Sequence, residues 1–290
     1  MAVKRYNIYL TVRLTINYNS TSGKYEATVT APGKSSYGQT DHVLGGTVKA
    51  TDVAGNTATV DQSHATLGAS LKIRVKEKVA PVISITEPTT GSYITTATPA
   101  IKFKVTDADS GVNAGTIALK IDGTAVTGIT KAAVTGGYEC SYTPSTALSD
   151  GAHTISVTAS DNDGNASAAK TATFTIDTVP PTLSVTAPVD NLVTNKNTVT
   201  ITGKTDDITS KPVTVTVNGT AVTVATDGTF SKDVTLVNGS NTITIVAKDK
   251  AGKTTTVTRK VTLDTAAPVI KSITLTPNPV DCGKTFCDCC

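Results

Sequence analysis

Two stretches of this sequence carry oxygen-bearing side chains at alternate positions, Asp107-Ala108-Asp109-Ser110-Gly111 and Asp161-Asn162-Asp163-Gly164-Asn165. Calcium takes about six to eight oxygen ligands, and Asp-x-Asp spacing lets one bent stretch of backbone supply several of them. Asp161, Asp163 and Asn165 are therefore candidate calcium ligands, joined by Asp177 from the strand that closes the same repeat, and Asp107 and Asp109 form a second candidate set. The ordinary reading stands beside this one, because Asp and Asn populate turns by bonding their own backbone. The following repeat offers Asp206, Asp207, Asp249 and Asp264 at comparable places. Lys250 and Lys253 stand there where Asp163 and Asn165 stand in the earlier loop, which weakens that set.

Other chemistry has little to stand on. Gly33-Lys34-Ser35, Gly252-Lys253-Thr254 and Gly283-Lys284-Thr285 resemble the end of a phosphate-cradling loop. Such a loop also needs a Gly about five residues earlier and a helix after it. Thr28, Ala247 and Asn278 occupy those places in strand-like surroundings, so the triplets read as turns. Of the three histidines, His42 follows Asp41 in a loop, while His153 begins a strand beside Asp150-Gly151 and is expected at the surface. No nucleophile, base and orienting group fall into a recognisable pattern. The expectation is a non-enzyme without catalytic residues, and calcium is the only cofactor to be expected.

Cysteine usage is uneven. Cys140 stands alone, and Cys282, Cys287, Cys289 and Cys290 crowd the end of the sequence. No repeat holds a pair able to bridge its two sheets, so the domains should fold without internal disulfides. The terminal cluster admits a metal site, an interchain disulfide or a tail without function.

Strands must position these loops. Thr supplies about a fifth of the 290 residues, no Trp is present, and Phe and Tyr number only four and eight. β-branched side chains suit a pleated surface, and so few aromatics imply thin cores of Val, Ile, Leu and Ala. Thr198–Thr202 and Val213–Val217 alternate strictly, an Asn218-Gly219 pair then predicts a type I′ hairpin, and Asp227-Gly228 and Asn238-Gly239 mark two more turns. Short strands with frequent turn signals and no helical period predict a β-sandwich of two antiparallel sheets.

The plan repeats. Ala50-Thr51-Asp52-Val53-Ala54-Gly55-Asn56, Ala159-Ser160-Asp161-Asn162-Asp163-Gly164-Asn165 and Ala247-Lys248-Asp249-Lys250-Ala251-Gly252-Lys253 share one phrase. Each is followed by a proline junction, at Ala80-Pro81, Pro180-Pro181 and Ala267-Pro268. Self-similarity at this period means an array of small domains. The boundaries expected are 1–79 (a divergent first domain, with strands at 46–50 and 71–75), 80–178, 179–266 and an incomplete fourth repeat at 267–290. Residues 268–279 read as its opening strand, with Val269, Ile273 and Leu275 available to dock on another chain.

The Ala-x-Asp-x-x-Gly phrase, the closing Asp177-Thr178 and Asp264-Thr265, and the Pro-Pro or Ala-Pro junctions resemble tandem bacterial immunoglobulin-like modules. The resemblance implies an all-β fold, immunoglobulin-like sandwiches following one another in a rod. It also implies a spacing or adhesive role, as in surface adhesins and in bacteriophage tail and capsid proteins. For Asp161 and Asp177 it implies a calcium-bearing module junction.

The first residues alternate polar and apolar and hold no continuous apolar segment of the kind a secretory signal needs. With Met1 as the start, the expectation is a virion protein assembled in the host cytoplasm, and the alternative is a stalk segment of a cell-surface adhesin. Expected partners are other virion proteins, copies of the chain itself and a host-surface glycan, for which Tyr37, Tyr93, Tyr138 and Tyr142 are the aromatic candidates. Alternation puts Tyr138, Cys140 and Tyr142 on one face, more simply explained as core. A net charge of +3 without blocks of like charge gives no reason to expect nucleic acid. The absence of a long apolar run gives none to expect membrane insertion.

Overall fold

The computed structural model describes residues 5–10, 12–13, 17–26, 30–51 and 54–273. The chain divides into two compact units, residues 1–178 and 179–290.

The first unit opens with β1 (Arg5–Leu10), β2 (Val12–Arg13), β3 (Asn17–Asn19), β4 (Lys24–Glu26), β5 (Leu44–Gly45), β6 (Thr47–Thr51), β7 (Thr57–Asp61) and β8 (Lys72–Ile73). They form a four-stranded sheet in the order β2-β1-β6-β7 and two small pairs, β3-β4 and β5-β8. The expected strand over 71–75 is reduced to the two residues of β8, and the partner of β6 is β7 instead. The chain spends Gly68–Leu71 on a 3-10 turn, where Gly68 abuts the Gln62 carbonyl too closely for any Cβ.

A sandwich follows, from β9 (Val82–Glu87), β10 (Ser92–Ile94), β11 (Ile101–Thr106), β12 (Ala118–Ile121), β13 (Thr124–Ala125), β14 (Thr130–Val134), β15 (Gly137–Tyr142), β16 (Gly151–Thr158) and β17 (Lys170–Ile176). One sheet runs β10-β17-β16-β12-β13 and the other β14-β15-β11-β9. Alternation sets what lies between them: β11 turns Ile101, Phe103 and Val105 inward while Lys102 stays exposed. Those three pack with Leu119, Cys140, Ile155, Val157 and Phe174, and Tyr138 and Tyr142 are partly buried against the same core.

The sheets are not purely antiparallel as expected, because β10 runs parallel to β17. Pro88 supplies no N–H for a ladder, so the opening strand ends at β9. The chain then turns at Gly91 (φ +81°) and joins the other sheet as β10.

The second unit repeats this plan with β18 (Thr182–Ala187), β19 (Leu192–Thr194), β20 (Thr198–Asp206), β21 (Thr214–Val217), β22 (Thr220–Val222), β23 (Thr229–Thr235), β24 (Gly239–Lys248) and β25 (Thr254–Leu263). Its sheets run β18-β20-β23 and β19-β25-β24-β21-β22, and Pro188 precedes a second parallel pair, β19 with β25. Ile201, Val215, Phe230, Ile243, Ile245 and Val261 are among its core. Residues 264–273 have no regular structure, and Val269, Ile270 and Ile273 are exposed. The strand expected over 268–279 is thus not formed in its described part, and the rest of it, like the cysteine cluster, lies outside the described residues.

Candidate functional site

At one end of the first unit's sandwich two loops meet. Asp107 follows β11, and its Oδ1 accepts hydrogen bonds from the N–H groups of Asp109 (3.1 Å) and Gly111 (2.8 Å). Gly111 takes φ +79°, where a side chain would be strained. Asp161 lies in the loop between β16 and β17 and is 1% exposed. Its Oδ1 accepts from the N–H of Gly164 (2.6 Å) and Asn165 (2.7 Å), and its Oδ2 from Asn165 Nδ2 (2.6 Å). Asn162 ties the loops together by donating Nδ2 to the carbonyls of Ser110 (2.9 Å) and Gly111 (3.0 Å).

A third carboxylate comes from the segment leading into β9. Glu77 Oε1 accepts from Ser110 N–H at 2.7 Å. One oxygen each of Glu77, Asp107 and Asp161 lies within 4.8 Å of the others. Three like charges this close repel, so the cluster suits a hard cation that takes oxygen ligands. The Ser110 hydroxyl nearby is buried with no hydrogen-bond partner.

The same loops hold the chain that precedes them. Ser35 donates its N–H to Asp109 Oδ2 (2.7 Å) and its hydroxyl to Asp163 Oδ2. Asp163 Oδ2 also accepts from Glu77 N–H (3.1 Å), while Lys76 Nζ reaches the Asp163 carbonyl (3.0 Å) and Asn165 Nδ2 the Glu77 carbonyl (3.1 Å). Burial alone would raise the Asp163 pKa, but the Ser35 hydroxyl, the Glu77 N–H and the charges of Lys76 and Arg74 hold it below the ordinary value.

Of the residues singled out in the sequence, Asp107, Asp109, Asp161, Asp163 and Asn165 all gather at this end. Asp109 and Asp163 reach Ser35, which makes them joint residues rather than members of the three-carboxylate cluster. Asp177 requires a correction. β16 and β17 are antiparallel, with Val157 opposite Lys170 and Gly151 opposite Ile176. The loop carrying Asp161 therefore sits at one end of β17 and Asp177 at the other, where its N–H bonds the Ile94 carbonyl at 2.9 Å. The loop accordingly faces the segment before the sandwich, not the junction after it. Glu77 is the residue that sequence reasoning missed. Its signal was the junction register, since Glu77 precedes Pro81 as Asp177 precedes Pro181.

In the second unit Asp207 and Asp249 occupy the places of Asp107 and Asp161, with carboxylate oxygens within 4.8 Å of each other. Asp207 Oδ1 accepts from Thr209 N–H (2.8 Å) and Ser210 N–H (2.6 Å), and Asp249 Oδ1 from Lys253 N–H (2.8 Å). The other Asp249 oxygen is buried without a hydrogen-bond partner. Asp206 instead pairs with Lys211 at 2.8 Å, and Asp264 caps its own turn through Ala266 N–H at 2.9 Å.

His153 is 6% exposed, not at the surface as expected. The alternation of β16 points it inward beside Phe174. Tyr37, Tyr93, Tyr138 and Tyr142 are each partly buried, and Tyr37 stacks on His42 at 4.2 Å. Among the described residues, no helix is long and apolar enough to cross a membrane.

Residues 85–178 match the family described as Bacterial Ig-like domain, and residues 181–265 match Glucodextranase, domain B. Over 194 residues the chain is 33% identical to Bacillopeptidase F of Bacillus subtilis (strain 168), an alignment covering 67% of this chain and 13% of that protein. Among solved structures, a three-domain fragment of titin, I67–I69, is 12% identical with a TM-score of 0.41, covering 91% of this chain and 89% of that one. Fibronectin(III)-like modules of Clostridium thermocellum CbhA are 19% identical with a TM-score of 0.40, covering 63% and 94%.

Proposed function

Because this chain carries tandem immunoglobulin-like domains, we propose that it is a non-enzymatic structural or adhesive segment of a larger bacterial assembly. The observation that carries this reading is the joint before β9. There Asp109, Asp163 and Asn165 are spent on holding Ser35, Lys76 and Glu77, so the polar chemistry of this end joins one stretch of chain to the next. A catalytic cleft would instead leave such groups facing solvent, with a base and a nucleophile in reach of one another.

Calcium is the ion this reading assigns to Glu77, Asp107 and Asp161. The three carboxylates come from three separate stretches of chain, so one bound cation would cross-link them and stiffen the joint. The buried, unpartnered oxygen of Asp249 beside Asp207 supports a second position of the same kind.

Two settings compete. Similarity to a segment of Bacillopeptidase F, 13% of that protein, supports a module within a long bacterial protein. The alternative is a virion, with the same modules on a phage tail or capsid. Antibody against residues 80–266 applied to fractionated cells and to purified particles separates them. Signal in the cell-surface or medium fraction supports the first setting, and signal confined to particles supports the second. Peptide or glycoside turnover by the purified chain, abolished by a point substitution, would overturn the non-enzymatic reading.

A further inference from the structure

We propose that the turn between β12 and β13 is a proton-operated latch: a proton held between His153 and Asp122 fastens this hairpin to β16, and its loss as pH rises loosens the fastening. His153 Nε2 lies 2.8 Å from the carbonyl oxygen of Ser149, which can only accept, so Nε2 carries a proton. His153 Nδ1 lies 2.6 Å from Asp122 Oδ2. A bare Nδ1 would set its lone pair against a carboxylate oxygen at that distance, so a proton stands there too. The arrangement is an imidazolium donating both N–H groups from a buried strand position.

Asp122 cannot easily turn away. Its Oδ1 accepts from Thr154 N–H at 2.8 Å, and its own N–H bonds the Thr154 carbonyl at 2.8 Å. Asp122 and Gly123 hold φ values of +48° and +81°, as the tight turn requires. Proton loss would therefore strain the contact between turn and strand rather than swing one side chain into solvent.

The second unit contains the uncharged version of this turn. Asn218 N–H bonds the Thr244 carbonyl at 2.8 Å and Thr244 N–H bonds Asn218 Oδ1 at 2.8 Å, the same two backbone clamps. The place of His153 is taken there by Ile243, which is buried. The turn thus folds without a titrating pair, and His153 with Asp122 adds a pH response to it.

Few other charges face the ring. Asp150, on the turn before β16, gives its two oxygens to the N–H and hydroxyl of Thr178, each at 2.9 Å. β17 presents Phe174, at 5.6 Å between ring centres. Lys120 pairs with Ser156 and Lys170 with Val157, further along β16. Burial alone would lower the His153 pKa, yet the Ser149 carbonyl and the Asp122 carboxylate hold it above its ordinary 6.5. Burial would likewise raise Asp122, whose pKa is kept low by Thr154 N–H and by His153. A raised histidine stabilises fully below its unfolded value and loses that contribution as pH rises through its folded value.

Ring-carbon NMR of the full chain tests the latch, with His42 and His64 replaced to assign the three histidines. The expected result is a His153 signal that titrates above 6.5; titration at or below that value overturns the proposal. The double variant Asp122→Asn, His153→Ile installs the pair found in the second unit. Urea unfolding of the domain should lose stability in the native chain as pH rises from 6.5 through the higher folded value of His153, and this loss should vanish in the double variant. Persistence of the loss contradicts the latch, as does a double variant that does not fold.

Discussion

Gly203 and Phe230 stand directly opposite one another across β20 and β23, and the glycine leaves no room for a side chain. A Cβ at Gly203 would lie 2.4 Å from Phe230 Cζ and 2.4 Å from the Ser184 carbonyl oxygen. In the first unit's sandwich the equivalent pair is Phe103 opposite Cys140. One aromatic ring fills each core at this level, delivered from β11 in one sandwich and from β23, the counterpart of β15, in the other.

Gly203→Ala is therefore expected to destabilise the second unit, by about 1–3 kcal/mol, because neither the carbonyl nor the packed ring can retreat freely. Phe103→Ala should cost the first unit's sandwich about 3–5 kcal/mol through the cavity it leaves. Urea unfolding of each variant, with the native chain as reference, measures both. A neutral Gly203→Ala would show that Phe230 has another place to go.

Arg259 closes the point at which β18 ends. Its Nη2 donates to the Val185 carbonyl at 2.9 Å and its Nε to the Pro188 carbonyl at 3.1 Å. A lysine offers one point charge in place of this planar fork. Arg259→Lys should lose about 1–3 kcal/mol of stability in thermal unfolding, and a loss as large as that of Arg259→Ala would confirm that the fork, not the charge, matters.

The joint before β9 should weaken in acid. The pKa of Asp163 is depressed, so its contribution is present above its unfolded value, near 3.8, and is lost as pH falls through the lower folded value. Hydrogen exchange at Ser35 and Glu77, both of which donate N–H groups to this loop region, should quicken in that window. Asp163→Asn should quicken exchange at Glu77 already at neutral pH. Equal protection in the native chain and the variant would assign the Glu77 contact no role in fastening the segment.

Much of the fold was legible because strand alternation and turn dipeptides are local signals: Asp122-Gly123 and Asn218-Gly219 sit where hairpins form. The alternation of Tyr138, Cys140 and Tyr142 likewise named one face of β15. What needed the structure depends on how strands are ordered. The antiparallel pairing of β16 and β17 parts Asp177 from Asp161, although the sequence repeat brings both to notice. Pro88 and Pro188 mark breaks, but a break does not say that the chain changes sheet. The alternation of His153 with Ile155 and Val157 already puts the histidine on the inward face of β16, and its place beside the Asp150-Gly151 turn masks that signal.

The acidic cluster of Glu77, Asp107 and Asp161 is decided by calorimetric titration of the calcium-free full chain with calcium, paired with thermal unfolding. The expected result is saturable binding that raises stability by about 2.7 kcal/mol at about a hundredfold excess over Kd. Glu77→Gln and Asp107→Asn should each weaken binding, and Asp163→Asn, which leaves the three carboxylates in place, should weaken it less. Absence of binding heat, together with an unfolding transition that neither millimolar calcium nor chelator moves, would contradict the assignment and leave these loops as turns that merely bond their own backbone.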